Sequence, residues 1–309
     1  MKGHEAAPVS PPMTSLLGTF FRLAAWSPGM AAILRPIARL AVPLVSTAVR
    51  DATRKNSTRV FGRRLSRTEH RAYAREVVNS FYNFVVDVAG ASNRSPEQLR
   101  SLVAHVDGLE AFRANRGAGR GAILVTAHFG SFECGLAALA REERRISVVF
   151  RRDADPAFEA SRARLHRALG IVEAPIDDGL DTWLSLRDAL LHNEVVVMQG
   201  DRAAPGQRTQ TVPFLFGQLR LPTGPVRLAR LTGSPIIPVF TVRQPDGRHR
   251  VLLLPAIEPD TPPTDAGDRA PSASLRAIAN SIASVVSRYP HQWLVLEPVF
   301  VEDLDDGRG

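Results

Sequence analysis

His128 and Glu133 are the residues of this chain whose types and spacing best suit proton-transfer chemistry. A histidine can take a proton from a hydroxyl, and a carboxylate that holds one ring nitrogen leaves the other free for that task. The two residues are five positions apart, which would place them roughly 140° apart on one continuous helix. They can therefore meet only if the chain bends between them, and Gly130 permits such a bend.

The segments around this pair predict how it is positioned. Residues 122–127 are a short apolar run typical of a strand buried on both faces, and a helical pattern follows Ser131, which we interpret as an N-cap. His128 then lies at the carboxyl end of a strand, where open α/β sheets bind ligands, and the helix start offers free N–H groups that could stabilise an oxyanion. The alternative is a buried structural histidine with Glu133 favoured by the helix dipole.

Other catalytic classes fit the sequence less well. Ser131 is not in the G-x-S-x-G turn of serine hydrolases. The H-x4-E spacing is not the H-E-x-x-H of zinc hydrolases, and the eight histidines do not cluster along the chain, so we expect neither a metal nor a cofactor. Cys134, the single cysteine, excludes an internal disulfide, favours a reducing compartment and is best interpreted as core packing.

The pair is accompanied downstream by segments in a characteristic order. They are residues 195–202 ending in Asp201-Arg202, residues 213–217, residues 222–230 with Gly224, and residues 289–293. Together with His128-Phe-Gly-Ser-Phe-Glu133, these segments resemble the bacterial lipid A biosynthesis acyltransferases, which are lauroyl and myristoyl transferases, and the related actinobacterial mannoside acyltransferases. The resemblance covers roughly residues 54–300.

This resemblance implies an O-acyltransferase of the lysophospholipid acyltransferase-like superfamily. The enzyme would move a fatty acyl chain from an acyl carrier protein or coenzyme A thioester to a hydroxyl of a membrane glycolipid or related lipid. His128 would be the general base and Glu133 its orienting partner, without a covalent enzyme intermediate. A non-catalytic basic protein that binds lipid or nucleic acid at a membrane surface is the alternative.

The substrate contacts are less well defined. Family members place an arginine a few tens of residues beyond the catalytic pair, and Arg164 is the best match, with Arg162 and Arg167 as competitors. Asp201 and Arg202 follow an apolar strand directly, so we expect them at the sheet edge that carries His128. The expected substrate-binding set is Arg164, Asp201, Arg202 and Gly224, and the expected walls of an acyl-chain pocket are Phe132, Phe214 and Phe216, with ordinary packing as the alternative for these aromatics.

The chain predicts an α/β fold with a mainly parallel central sheet flanked by helices, of the glycerolipid acyltransferase-like type. Strand patterns at 146–150, 195–199 and 235–242 alternate with helical patterns near 156–169, 180–192, 224–232 and 273–288. Asp246-Gly247 is a hairpin signal that predicts an antiparallel edge, and we expect a last strand at 293–296. Ser66 and Glu69 form a capping box before a long amphipathic helix.

The amino-terminal part suggests contact with a membrane surface. Residues 13–49 are apolar, but arginines and prolines interrupt them, so they are too short to span a bilayer and suit helices lying in the interface, with a core helix pair as the alternative. Residues 50–75 carry nine basic and two acidic side chains, a net charge of +7. Anionic head groups or an acidic carrier protein suit this patch, whereas nucleic acid is not expected because the chain has no recognisable nucleic-acid reading motif. A merely solvated basic face is the remaining alternative.

The resulting domain organisation is an arm over residues 1–60, a catalytic domain over 61–301 and an acidic tail over 302–309. The 309 residues, 44% of them hydrophobic, suffice for one large α/β core. We expect a peripheral or monotopic protein on the cytoplasmic face of the inner membrane.

Overall fold

A seven-stranded sheet forms the centre of the computed structural model, which describes residues 28–91, 93–152, 156–204, 206–260 and 271–305. Its strands lie in the order β1-β9-β8-β2-β5-β3-β4. A separate hairpin contains β6 and β7. The nine strands are β1 Val103–Asp107, β2 Ala122–Thr126, β3 Ile146–Phe150, β4 Val172–Pro175, β5 Val195–Gln199, β6 Thr209–Phe214, β7 Gly217–Pro222, β8 Ile236–Arg243 and β9 His249–Leu253.

The central sheet is mainly parallel, as the sequence predicts. Strands β8, β2, β5, β3 and β4 run in one direction. Strand β9 returns from β8 in an antiparallel hairpin whose turn contains Gly247 in a left-handed conformation, at φ 84°. Strand β1 pairs in parallel with β9, so these two strands form the antiparallel edge.

Helices cover both faces of the sheet because its central strands are apolar on both sides. In β2, Ile123 and Val125 belong to one core with Ile278 on one face, whereas Leu124 belongs to a second core with Leu136. The described helices are α1 Pro28–Val45, α2 Thr47–Phe61, α3 Arg67–Ala91, α4 Pro96–Ser101, α5 Leu109–Gly117, α6 Phe132–Glu142, α7 Pro156–Leu169, α8 Leu180–Leu191, α9 Gly224–Thr232, α10 Ala273–Arg288 and α11 Val301–Asp305.

The helices predicted near 156–169, 180–192, 224–232 and 273–288 are confirmed as α7, α8, α9 and α10. The long helix predicted after the capping box is confirmed as α3. Ser66 Oγ accepts the Glu69 backbone N–H at 3.3 Å, and the Glu69 carboxylate accepts the Ser66 N–H at 2.8 Å. The strand predicted at 293–296 is wrong, because Trp293 forms only an isolated bridge to Phe129 and the next residues are irregular. The prediction also missed β1, β4 and the β6–β7 hairpin, whose short strands are mixed with polar residues.

The two first described helices differ in how they join the body. In α2, Asn56 donates to the Glu297 carbonyl at 2.8 Å and Lys55 donates to the Asp303 carbonyl at 3.2 Å, so this helix is tied to the carboxyl-terminal segment. In α1, exposed apolar side chains include Ile33 and Val45, at 71% and 78% exposure. Among the described residues, no helix is both long and apolar enough to cross a membrane. Residues 13–27 of the predicted interfacial segment and residues 306–309 of the predicted acidic tail lie outside the described residues.

Candidate active site

The carboxyl ends of β2 and β5 bring His128 and Asp201 together. The two strands are parallel neighbours, and their register pairs Thr126 with Gln199. His128 and Asp201 each lie two residues beyond this pair, so they leave the same sheet edge side by side. This is the edge at which open α/β sheets bind ligands, as predicted for both residues.

His128 is held by the Asp201 carboxylate through two hydrogen bonds. The ring Nδ1 lies 2.8 Å from Oδ1, and the backbone N–H donates to Oδ2 at 3.2 Å. Since an ionised carboxylate can only accept, Nδ1 carries the proton and Nε2 of the neutral ring keeps its lone pair. The imidazole side chain is 30% exposed, so a hydroxyl can reach that nitrogen.

Asp201 is itself fixed by its surroundings. Its carboxylate is buried and also accepts the Trp293 indole N–H at 3.0 Å. Burial alone would raise the pKa of Asp201, but the hydrogen bond from His128 and the positive charge that the ring carries when it is protonated oppose this effect. The charge of Arg202 and the Trp293 donor act in the same direction, and the pKa stays below its usual range. Asp201 is therefore an ionised, immobile acceptor.

Arg202 borders the pair on its solvent side. Its Nε lies 3.3 Å from His128 Nδ1, but that nitrogen already donates its proton to Asp201 and cannot accept a second one. Arg202 therefore acts on the imidazole through charge rather than through a hydrogen bond. Its Nη1 binds Glu297 at 2.9 Å, which fixes the guanidinium at the rim of the site.

Gly130 makes the turn between His128 and α6. Its φ is 57°, in the left-handed region, and a Cβ at this position would lie 1.8 Å from the Thr241 carbonyl oxygen. No other residue fits there without moving β8. The predicted bend at Gly130 is confirmed.

Glu133 lies in the first turn of α6 and does not join His128 through a hydrogen bond or ion pair within the part of the chain that the structure describes. Its Oε2 instead lies 3.4 Å from the Ser131 hydroxyl. Burial raises the pKa of Glu133 to about 7, with the Asp87 charge adding to the rise and its own backbone N–H opposing it. The structure thus supplies a carboxyl group that changes charge near neutral pH, five residues from the base along the chain.

The first turn of α6 receives no cap from its N-cap side chain, although the Glu133 N–H meets its own carboxylate. Ser131 is the N-cap, but its hydroxyl caps no backbone N–H and instead lies 3.4 Å from Cys134 Sγ. First-turn N–H groups and the helix dipole therefore favour negative charge beside His128. Cys134 is buried, and burial raises the pKa of its thiol to about 12, which excludes a thiolate nucleophile at neutral pH.

The other predicted substrate contacts are dispersed. Arg164 is exposed on α7 and no described contact links it to His128 or Asp201. Of its competitors, Arg162 binds Glu159 and stacks over the Phe150 ring at 3.6 Å, which is a structural role. Gly224 is the first residue of α9, where a Cβ would lie 2.7 Å from the Trp183 ring. Close packing therefore explains the glycine.

Only Phe132 of the three predicted pocket aromatics lines an apolar cavity. This cavity of about 60 Å³ lies between α6 and the sheet, and its wall includes Leu109, Leu139 and Leu253. Phe214 instead packs against the Trp293 ring, with centroids 5.5 Å apart. Phe216 is exposed in the β6–β7 turn.

Trp293 is the site residue whose role the sequence did not show. It belongs to residues 289–293, one of the segments that carry the family resemblance, but the sequence pattern predicted only a strand there. Its indole supports Asp201, and the preceding Gln292 exchanges two hydrogen bonds with the backbone of Arg243, at 2.8 and 2.9 Å. Residues 289–293 therefore hold the Asp201 carboxylate in place, and Asp201 in turn orients His128.

Comparisons with known proteins show the family to which the chain belongs. The profile of the family described as bacterial lipid A biosynthesis acyltransferase matches residues 17–301. The chain is 27% identical to the phosphatidylinositol mannoside acyltransferase of Mycolicibacterium smegmatis over 192 residues, which are 62% of this chain and 60% of that protein. It is 26% identical to the protein of the same name from Mycobacterium tuberculosis over 211 residues, covering 68% and 64% of the two chains.

A further relative is the lipid A biosynthesis lauroyltransferase of Escherichia coli, with 25% identity over 217 residues that cover 64% of this chain and 63% of that one. The chain thus spans about three fifths of the length of the curated relatives that it matches. The family profile, in contrast, extends over most of the chain and includes both residues of the His128–Asp201 pair. The chain belongs to the bacterial lipid A biosynthesis acyltransferase family.

Proposed function

We propose that this protein transfers a fatty acyl chain from a thioester donor to a hydroxyl of a membrane glycolipid or related lipid. The observation that carries the proposal is the accessible imidazole of His128, held by a buried carboxylate at the ligand-binding edge of the sheet. The relatives' names, a phosphatidylinositol mannoside acyltransferase and a lauroyltransferase, support this class of acceptor and chain. Acyl carrier protein and coenzyme A both supply suitable thioesters.

In this proposal, His128 Nε2 removes the proton from the acceptor hydroxyl. The oxygen then attacks the thioester carbonyl carbon, forming the new C–O bond and a tetrahedral oxyanion that N–H groups at the start of α6 can stabilise. When the C–S bond breaks, the leaving sulfur takes the proton from the imidazolium. Asp201 keeps its negative charge throughout, orienting the ring and stabilising its positive form.

The test uses the purified full-length chain, with long-chain acyl thioesters of acyl carrier protein or coenzyme A as donors. Lipids extracted from the cells in which the protein naturally occurs are the acceptors. Intact-lipid mass spectrometry should show one lipid species gaining the mass of an acyl group, with release of one thiol per acyl group. Thiol release without an acylated lipid would identify a thioesterase. Lipid binding without either product would favour a non-catalytic lipid-binding protein.

We propose that the acyl chain of the donor lies in the cavity beside α6. Its lining is apolar, and Phe132 stands at the end of α6 nearest the His128 turn. An alkyl chain entering there would exchange water for hydrocarbon contacts, which stabilises binding by about 0.8 kcal/mol per methylene. The present volume of about 60 Å³ is narrow, so the side chains of the wall set how much of the chain fits.

We predict that Phe132→Ala shifts donor preference toward longer acyl chains because it lengthens the cavity. Competition between donors of different chain length, read out by mass spectrometry of the product, measures the shift. Phe216→Ala is the matched control, since this exposed ring lines a different surface and its loss should leave the preference unchanged. Equal chain-length profiles for Phe132→Ala and the unaltered chain would contradict this placement.

We further propose that the protein lies on the cytoplasmic face of the inner membrane, with its first described helix in the membrane interface. Ile33, Ile37, Leu40 and Leu44 follow one face of α1 and are 49–71% exposed. Such a stripe can enter the membrane interface without spanning the bilayer. Flotation of the full chain with vesicles tests the placement, and a chain that stays unbound would contradict it.

A further inference from the structure

A strongly basic cavity lies between α1, α2 and α3, apart from the His128 site. Its volume is about 520 Å³. No acidic residue is among its described lining side chains. The cationic and titratable groups around it are Arg50, Arg54, Arg64, Arg67, Arg71, Arg75 and His70.

Most of this charge lacks an acidic partner. Arg50 donates to the Leu44 carbonyl at 2.6 Å, and Arg54 lies 3.8 Å from Asp51. Within the described chain, the other four arginines of the cavity, Arg64, Arg67, Arg71 and Arg75, form no ion pair. Like charges around one concavity repel each other, and a concave, low-dielectric wall focuses their field. The cavity therefore attracts a compact anion.

His70 lies in the cavity wall and is affected by the positive charge of the arginines. Its Nε2 lies 3.1 Å from the Thr53 hydroxyl. Burial lowers the pKa of His70, and the positive charges of Arg54 and Arg50 lower it further, against the opposing effects of a hydrogen bond with the Arg50 backbone and of the Asp51 charge. A neutral imidazole and the hydroxyls of Ser57 and Thr58 add short polar groups among the guanidinium groups.

The rim of the cavity joins the apolar stripe of α1. Leu40, Pro43 and Leu44 form one wall, and the two leucines are 49% and 59% exposed. An anion in the cavity would therefore have an apolar surface directly beside it. A lipid has this combination of a charged head and adjoining hydrocarbon.

We propose that this cavity binds the phosphate head group of an anionic membrane lipid while the lipid's acyl chains lie along the apolar stripe of α1. Guanidinium groups match phosphate oxygens with paired N–H donors, and several can share one phosphate. An acidic helix of a carrier protein fits less well, because a helix with its side chains is about 10–12 Å wide and presents a convex surface to a small concavity. This second site would hold the protein in a fixed orientation on the membrane.

The experiment distinguishes specific binding of a lipid phosphate by paired N–H donors from general attraction between opposite charges. Vesicles of phosphatidylcholine with phosphatidic acid are titrated with the full chain and with the triple variant Arg67→Lys, Arg71→Lys, Arg75→Lys. Lysine keeps the charge but loses the paired donors. We expect the lysine variant to bind at least about fivefold more weakly, the effect of losing roughly one hydrogen bond. Equal binding would overturn the proposal, since diffuse attraction depends on charge alone.

Charge reversal provides the matched control. Arg67→Glu, Arg71→Glu, Arg75→Glu should lower vesicle affinity far more than Arg141→Glu, Arg144→Glu, Arg248→Glu, which changes net charge equally at exposed positions elsewhere. Circular dichroism verifies that each variant is folded. Equal losses in the two triple variants would show that only net charge matters and would overturn the proposal.

Two further measurements decide the identity of the ligand. Glycerol phosphate titrated alone should bind much more weakly than phosphatidic acid in vesicles, and equal affinity would identify a soluble phosphate ester as the ligand. Acyl carrier protein binding should be unchanged in the lysine variant; its loss with intact vesicle binding would assign the cavity to that protein. Because vesicle binding is measured without acyl transfer, failure of the proposed activity leaves this test unaffected.

Discussion

Asp201→Asn is expected to lower the rate of acyl transfer by roughly 10²–10⁴-fold, as is His128→Ala, because the first removes the group that positions the general base and the second removes the base itself. Asparagine keeps the shape of the buried side chain but loses the charge that stabilises the imidazolium. Its amide can also donate to Nδ1 and so favour the ring form in which Nε2 carries the proton. Steady-state rates for the folded variants measure the effect.

The identity of the carboxylate that orients His128 can be tested without turnover. An Nδ1 proton shared with a buried carboxylate should give a downfield imidazole resonance in the proton spectrum. We expect this resonance to persist in Glu133→Gln and to vanish in Asp201→Asn, because Asp201 is the hydrogen-bond partner 2.8 Å from Nδ1. The opposite pattern would restore Glu133 as the direct partner. The prediction that Glu133 is needed for transfer stands separately, since its carboxyl lies beside the same helix start.

Glu133→Gln is expected to stabilise the protein above pH 7 by about 3 to 4 kcal/mol, at about 1.4 kcal/mol per pKa unit. Burial raises the pKa of Glu133 from 4.5 to about 7 in the folded chain. Between these values the folded state binds more protons than the unfolded state, so stability falls as pH rises. Below about pH 4.5 the carboxyl is protonated in both states and the penalty disappears.

Urea unfolding of both proteins from pH 5 to pH 8 measures this difference. Glu142→Gln is the control of opposite sign, because the hydrogen bond from Arg113 lowers the pKa of Glu142. That carboxylate stabilises the fold at neutral pH, and its contribution is lost only as pH falls through its lowered pKa. A Glu133→Gln difference that does not change with pH would mean that Glu133 is ionised throughout this range.

Local patterns along the sequence determined most of the elements. The apolar run before His128, the hairpin at Gly247 and the capping box at Ser66 depend on neighbours within a few residues, and each is confirmed. Gly130 was predicted to bend the chain for the same reason, since a left-handed turn is a local requirement. The strands that were missed are short and only partly apolar, so their pairing partners, rather than their own patterns, make them strands.

Tertiary structure alone decided which carboxylate meets the imidazole. Sequence spacing placed Glu133 nearest to His128, and it placed Asp201 at the same sheet edge without saying which strands are neighbours. The order β2 beside β5, with Thr126 opposite Gln199, puts Asp201 within 2.8 Å of the ring while α6 turns Glu133 toward Ser131. Strand order depends on packing over the whole core, and a six-arginine cavity likewise exists only once α1, α2 and α3 have packed together. The sequence alone therefore identified the kinds of side chain that react. Which side chains they contact depended on packing between residues far apart in the chain.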